Sequence, residues 1–301
     1  MNLVEYHNPV LLKQCIEGLN IKPTGIYVDA TFGGGGHSRL ILKKLNGGKL
    51  FAFDQDKRTK ENSLNNNQFK LINANFRYLK NFLRMEGIRK IDGLLADLGV
   101  SSYQFDKAER GFSIRFEGEL DMRMNTESAL TAKEVINNYT QQELADILHK
   151  YGELKNARII AQQIVSSREN SEIVTTKDLI DCVSYLVPEK NKNKFLARIF
   201  QSVRIEVNDE INSLKEMLNS AVDMLDVSAR LVVISYHSLE DRLVKNLVKK
   251  GNLEGNLKKD FFGKPQLVLN EINSKVIVAA KEEIIKNSRA RSAKLRIAEK
   301  V

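Results

Sequence analysis

The sequence predicts an α/β fold, a mostly parallel sheet interrupted by an inserted helical segment. Short apolar strands alternate with helical stretches over roughly residues 1–111, a pattern that demands parallel strand pairing. Three of those strands end in an aspartate, at Asp29, Asp54 and Asp97. Between about 112 and 207 the strand pattern stops, and it returns afterwards.

The elements follow in order. Residues 26–29 read as a strand, 37–45 as a helix with Leu40, Ile41, Leu42 and Leu45 apolar, and 50–54, 69–72 and 91–97 as three more strands. In the middle segment, Thr131 with Glu134 and Thr140 with Glu143 fit the capping-box pattern. Thr140 opens a helix that Gly152 closes, a second helix spans 153–168, and a third runs from near Thr176 to a stop before Pro188. The last segment begins with an amphipathic helix over 208–225, then a buried strand over 230–236. It ends in a tail that holds Val276 to Ala279 and a basic stretch. Three parts result: 1–111 and 208–301 as two pieces of one α/β domain, and 112–207 as the insertion.

Composition sets outer limits. The 301 residues are 42% hydrophobic and 28% charged, enough apolar material for a sizeable core. No run of about 18 apolar residues suggests a membrane span, and residues 1–15 lack the pattern of a secretory leader. The only cysteines, Cys15 and Cys182, and the four histidines are scattered, which disfavours a disulfide framework or a metal site. A cytoplasmic protein without metal is expected. The net charge of +9 favours a polyanionic partner. Residues 281–301 carry seven basic and three acidic side chains, so Arg289, Arg291, Lys294 and Arg296 are candidate phosphate contacts or simply a solvated face.

The glycine turn Gly33-Gly34-Gly35-Gly36 lies between a strand and a helix. Such a turn exposes backbone N–H groups at a helix N-terminus, where an anion binds. The dinucleotide pattern G-x-G-x-x-G fails at Ser38, and an acid precedes the turn in Asp29-x-Thr31-x-Gly33-x-Gly35. Both details favour the carboxylate of S-adenosylmethionine over a pyrophosphate, with Asp29 toward its ammonium group. Asp54, at the end of the second strand, is in register to accept hydrogen bonds from ribose hydroxyls. A nicotinamide-dependent oxidoreductase and a non-catalytic assembly factor remain the alternatives at this level.

Longer motifs narrow the reading. They are His7-Asn-Pro-Val-Leu-Leu12, Asp29 to Ser38, Asp97-Leu-Gly-Val-Ser-Ser102 with Gln104, Arg110-Gly-Phe-Ser113 and Leu120-Asp-Met-Arg-Met124. Phe200-Gln201, Arg204-Ile205, Val207-Asn-Asp-Glu210, Ile234 to Arg242 and Arg289-Ala-Arg-Ser292 complete the set. Together they resemble the bacterial ribosomal RNA small subunit methyltransferase H (MraW) family, from His7 to Glu299. The resemblance implies a class I, Rossmann-like S-adenosylmethionine-dependent methyltransferase fold with an inserted helical domain. It implies N4-methylation of a cytidine in the decoding region of 16S rRNA. The partner is then 16S rRNA or the small ribosomal subunit, with no membrane; a homodimer is compatible with this. The family's cofactor contacts fall on Gly35, Gly36, His37, Asp54, Phe76, Asp97 and Gln104. The family's usual Glu near position 14 is Gln14 here, and its usual Pro before the last motif is Ser288.

Asp97 is the candidate catalytic residue, accepting a hydrogen bond from the target amine; holding only the cofactor or the turn is the plainer role. Phe76 is read as an adenine neighbour or as ordinary core. His237 and Asp241 are substrate-side groups, or part of a helix start capped by Ser238 with an ion pair among Glu240, Asp241 and Arg242. Asp121 and Arg123 clamp RNA or pair with each other.

Overall fold

The computed structural model describes residues 9–301. His7 and Asn8 of the first motif lie outside them. Helix α1 (Leu12–Gly18) precedes strand β1 (Ile26–Asp29), followed by α2 (Gly36–Lys44), β2 (Lys49–Phe53), β3 (Phe69–Ile72), α3 (Leu79–Met85) and β4 (Ile91–Asp97). Then come six helices without an intervening strand: α4 (Ser102–Asp106), α5 (Ala132–Asn138), α6 (Gln141–Lys150), α7 (Ala157–Asn170), α8 (Thr176–Val183) and α9 (Lys192–Asn208). After α10 (Glu210–Met224) the chain returns to the sheet with β5 (Leu225–Ser235), α11 (Ser238–Lys250), β6 (Leu269–Glu271), α12 (Lys281–Lys286) and β7 (Lys294–Lys300).

The seven strands form one sheet in the order β3-β2-β1-β4-β5-β7-β6. Strands β1 to β5 run parallel, and β7 is antiparallel to both its neighbours. The first five strands follow the Rossmann-like order of the class I fold. Both faces of the sheet are covered, which explains the near-continuous apolar strands. Val28, Leu94, Leu231 and Val233 enter one core cluster, while their neighbours Tyr27, Leu95, Val232 and Ile234 enter the other. Strand order reverses between β1 and β4, and a ligand crevice opens beyond the carboxyl ends of strands at such a point.

Two compact units result, one holding the chain up to Gly99 together with Ile211–Val301, the other Val100–Glu210. The second unit thus begins at Val100, where the sequence reading set the insertion at 112. Within it, the Thr131 and Thr140 hydroxyls each cap a helix by accepting from the N–H of Glu134 and Glu143, and each threonine N–H donates to the carboxylate of the same glutamate.

Two helix starts shift. The helix expected from 153 starts at Ala157, because Glu153 adopts a left-handed φ of 51° that an α-helix excludes. The helix expected over 208–225 is present as α10, which starts two residues later, separated from α9 by Asp209 at φ 46°. Within the basic tail, 294–300 forms β7, which pairs with β5 and β6. Val276 to Ala279 contributes only an isolated bridge from Ile277 to Leu295.

Candidate active site

The site is built from the carboxyl ends of β1, β2 and β4. After β1 the chain turns through Gly33 and Gly35, both at positive φ (51° and 73°), conformations that glycine adopts without strain. Gly35 is the N-cap of α2 and, being a glycine, supplies no side-chain cap of its own. The first N–H groups of α2 have no intrahelical partner and are therefore open to an anionic acceptor. A side chain at Gly33 would project into open space, whereas one at Gly36 would strike Pro9 at 2.1 Å.

The aspartates divide into distinct jobs. Asp29 is 1% exposed and both its oxygens are engaged: Oδ1 accepts from the Thr31 N–H (3.1 Å) and Oδ2 from the Ser38 hydroxyl (2.6 Å). Both bonds fix the loop, each taking one of the acceptor sites of its oxygen. Ser38, which breaks the dinucleotide pattern, is the donor that this buried carboxylate requires. Thr31 supplies the second tie, since its Oγ1 accepts from the Asp97 N–H at 2.7 Å. The loop is thus bound to β1 through Ser38 and to β4 through Thr31.

Asp54 follows β2 directly. Its Oδ2 accepts from the Gly33 N–H (2.8 Å) and its Oδ1 from the Asp56 N–H (2.9 Å). Asn62 braces the same turn by donating to the Gly33 carbonyl at 3.1 Å. Burial pushes the Asp54 carboxyl up to about 7 against the pull of those two N–H donors. Asp97 ends β4, and its Oδ1 accepts from the Tyr236 hydroxyl at 2.7 Å. Burial raises its carboxyl to about 7 as well, with the Tyr236 bond opposing and the charges of Asp29 and Glu240 adding to the rise. Burial likewise raises Asp29.

His37 lies in the first turn of α2 and is 6% exposed. Burial lowers its imidazole to about 4, so the ring is neutral at pH 7; it shares a hydrogen bond with the Val10 backbone. Its Nε2 is a buried polar atom with no hydrogen-bond partner among the described residues. Phe76 opens a short 3-10 turn after β3 and packs, half-buried, against the core cluster on one face of the sheet. In the other unit, Gln104 is the third residue of a capping box with Ser101, whose N–H donates to Gln104 Oε1 at 3.1 Å.

These residues fit a zwitterionic adenosine cofactor. A helix start that its own N-cap leaves open suits its carboxylate, and acceptor carboxyls at the ends of β2 and β4 suit its hydroxyl donors and a target amine. A family model described as the MraW methylase family matches residues 5–301. The chain belongs to the MraW methylase family. It is a methyltransferase, and its cofactor is S-adenosylmethionine. Curated relatives extend the match. This MraW methylase is 53% identical over 296 residues to a Phocaeicola vulgatus protein, covering 98% of this chain and 97% of that one. It is 54% identical over 302 residues to one from Christiangramia forsetii, covering all of both, and 54% identical over 299 residues to one from Flavobacterium johnsoniae, covering 99% of each. All three are named Ribosomal RNA small subunit methyltransferase H. Among the described residues no helix is long and apolar enough to cross a membrane.

Other candidates resolve into structural contacts. The N-cap of α11 is His237 rather than Ser238: its Nδ1 accepts from the Glu240 N–H (3.4 Å), and Glu240 Oε2 accepts from the Tyr236 N–H (2.8 Å). Asp241 pairs with Arg296 (2.7 Å) and Lys294 (3.4 Å) on β7. These two cations of the tail tie β7 to α11, while Arg291 is exposed. Within the helical unit Asp121 and Arg123 pair with each other in a fork, Nε to Oδ1 at 2.9 Å and Nη2 to Oδ2 at 2.8 Å. Tyr236, Thr31 and Asn62 escaped sequence reasoning. Tyr236 carried one signal, its position just past the end of the strand parallel to β4.

Proposed function

We propose that this methylase transfers the methyl group of S-adenosylmethionine to N4 of a cytidine in the decoding region of 16S rRNA. The names of the curated relatives support the small-subunit rRNA substrate, and the motif resemblance supports the base and its position. The single observation that carries the chemistry is the Asp97 carboxylate, oriented by Tyr236, at the carboxyl end of the strand where the sheet order reverses. An rRNA substrate, free or in the small subunit, implies a cytoplasmic enzyme.

In this reading the backbone of Gly35, Gly36 and His37 holds the cofactor carboxylate. Asp54 accepts from the ribose hydroxyls, Phe76 packs on the adenine, and Gln104 completes the contacts. The bound cofactor supplies an electrophilic methyl group on a sulfonium. The cytosine amine is a weak nucleophile because its lone pair is delocalised into the ring. Catalysis then consists mainly of holding that nitrogen in line at near-attack distance. Asp97 accepts an N–H hydrogen bond from the amine, which localises the lone pair, while Tyr236 holds one carboxylate oxygen. As the N–C bond forms and the S–C bond breaks, leaving a neutral thioether, the methylated amine releases one proton. A carboxyl with a pKa near 7 suits this role, because a strong anion beside a sulfonium favours the ground state, where the positive charge is still present.

The reading is tested by methyl transfer from tritiated cofactor to small-subunit particles lacking the modification, followed by nucleoside analysis. Label in N4-methylcytidine at a decoding-region position is expected, and Asp97→Asn should lower kcat by about 10²- to 10⁴-fold with cofactor affinity retained. Label on another base or another RNA would overturn the substrate, and normal Asp97→Asn turnover would overturn the catalytic role.

A further inference from the structure

The segment between α11 and β6 has no part in the cofactor site, yet it carries the most exposed aromatic side chains of the described residues. Phe261 is 97% exposed and Phe262 is 90% exposed, with their rings edge-to-face at 5.5 Å. They sit at the tip of a short antiparallel turn closed by a single bridge between Lys259 and Pro265. The Gln266 N–H donates to the Lys258 carbonyl, the Asp260 N–H to the Lys264 carbonyl, and the Gly263 N–H to the Asp260 carbonyl, all at 2.9–3.0 Å. Gly263 takes a φ of 80°, completing a turn followed by a left-handed glycine. The Asp260 carboxylate accepts from the N–H groups of Phe262 and Lys264, both at 2.9 Å.

The two phenylalanines therefore occupy the central positions of a tight turn, where small and polar residues are the usual occupants. The fold gains nothing from them there, because neither ring is covered. The setting is cationic. Lys258, Lys259 and Lys264 are all exposed, and the only acid of the hairpin is already committed to the turn's own N–H groups. Two exposed aromatic faces among lysines match unpaired nucleobases flanked by phosphates: the rings stack and the ammonium groups meet the backbone.

We propose that this hairpin docks single-stranded RNA, with Phe261 and Phe262 stacking on unpaired bases of the substrate and Lys258, Lys259 and Lys264 holding the adjacent phosphates. The inference rests on the rRNA reading above and adds the element that grips the RNA away from the reacting base.

The chain contains no tryptophan, so Phe262→Trp installs a single fluorophore at the tip. The full-length variant is titrated with an unlabelled oligoribonucleotide carrying the decoding-region sequence, and separately with vesicles of phosphatidylglycerol and phosphatidylcholine. Stacking should quench the indole with RNA and leave it unchanged with vesicles. The Phe261→Ala/Phe262→Ala variant should bind the same RNA on the order of tenfold more weakly with an unchanged salt slope, because stacking is not ionic. The Lys258→Ala/Lys259→Ala/Lys264→Ala variant should lose affinity and show a shallower slope. Both should bind S-adenosylmethionine normally by calorimetry, which reports an intact fold. If the wild type methylates and binds RNA while the double-alanine variant matches it and the tryptophan stays unquenched, the docking role is wrong and the rRNA reading stands. A blue shift with vesicles and none of the RNA effects would replace RNA by a membrane surface. A wild type that binds cofactor but neither the oligoribonucleotide nor small-subunit particles would overturn both.

Discussion

The Tyr236 hydroxyl donates to Asp97 Oδ1 at 2.7 Å, joining residues at the carboxyl ends of two adjacent parallel strands, β4 and β5. The bond favours the ionised carboxylate and fixes its orientation. Removing it should raise the Asp97 carboxyl above its value of about 7, since burial is then opposed by one donor fewer. Tyr236→Phe should therefore lower kcat roughly tenfold while leaving the KM for cofactor near normal, and move the acidic limb of the kcat profile to higher pH. A pH profile that keeps its midpoint would assign the tyrosine to packing alone.

Asp54 should make cofactor binding pH-dependent. Its carboxyl stands at about 7 without ligand, and ribose hydroxyls donate best to the ionised form. Affinity should rise as pH increases through about 7, with proton release on binding at pH 6, visible in the buffer dependence of the calorimetric heat. Asp54→Asn should bind more weakly and lose the pH dependence. The same raised values act on stability with the opposite sign to a salt-bridged aspartate. The fold holds these protons more tightly than the unfolded chain, whose carboxyls titrate near 3.8, so the ligand-free protein should lose stability as pH rises from about 4 to about 7. Asp54→Asn/Asp97→Asn should flatten that part of the Tm profile.

Much of the sheet was legible because its strands are buried on both faces and read as short apolar runs ending in aspartate. The glycine turn was legible because positive φ at Gly33 and Gly35 selects glycine. Helix boundaries were less so: Glu153 and Asp209 adopt left-handed φ without being glycine, and no local pattern announces that. The 17-residue helix α9 went unnamed although Phe195, Ile199, Val203 and Val207 keep one helical face. At the site, Asp54 and Asp97 could be found by counting from the glycine turn. Tyr236 could not, since its contact with Asp97 spans 139 positions and depends on which strands become neighbours. Ser38 was visible only as a missing glycine, and its partner Asp29 appears only once β1 and α2 are packed.

That Ser38–Asp29 bond carries its own prediction. The serine hydroxyl lies 2.6 Å from the carboxylate of an aspartate that is 1% exposed. Ser38→Ala leaves a buried acceptor short of a donor, a loss of about 1–3 kcal/mol. The Tm should fall by several degrees and the cofactor should bind more weakly as the turn loosens. Ser38→Gly restores the G-x-G-x-x-G spacing of a dinucleotide site, yet it should suffer the same destabilisation and gain no measurable affinity for NAD. NAD binding by that variant would mean that spacing alone decides the ligand.

Asp241 tests whether the C-terminal basic residues serve the fold or the RNA. Burial opposes ionisation of its carboxyl, but the Arg296 and Lys294 cations outweigh that and hold it below the usual carboxylate range. The pair links α11 to β7, and both the Asp241 and Arg296 side chains are largely covered, with 13% and 12% exposed. Asp241→Asn should cost about 1–3 kcal/mol at pH 7, between the values of exposed and fully buried pairs. Because the folded pKa is depressed, that contribution is present above the unfolded value near 3.8 and disappears as pH falls below it, so wild-type and variant Tm values should converge in acid. RNA affinity and its salt slope should stay unchanged in Asp241→Asn. Arg291→Ala, at an exposed position of the same tail, should instead leave Tm unchanged and reduce the slope by about 0.7 if that side chain meets a phosphate. The opposite pattern, a stable Asp241→Asn with altered RNA binding, would return Arg296 and Lys294 to the RNA surface.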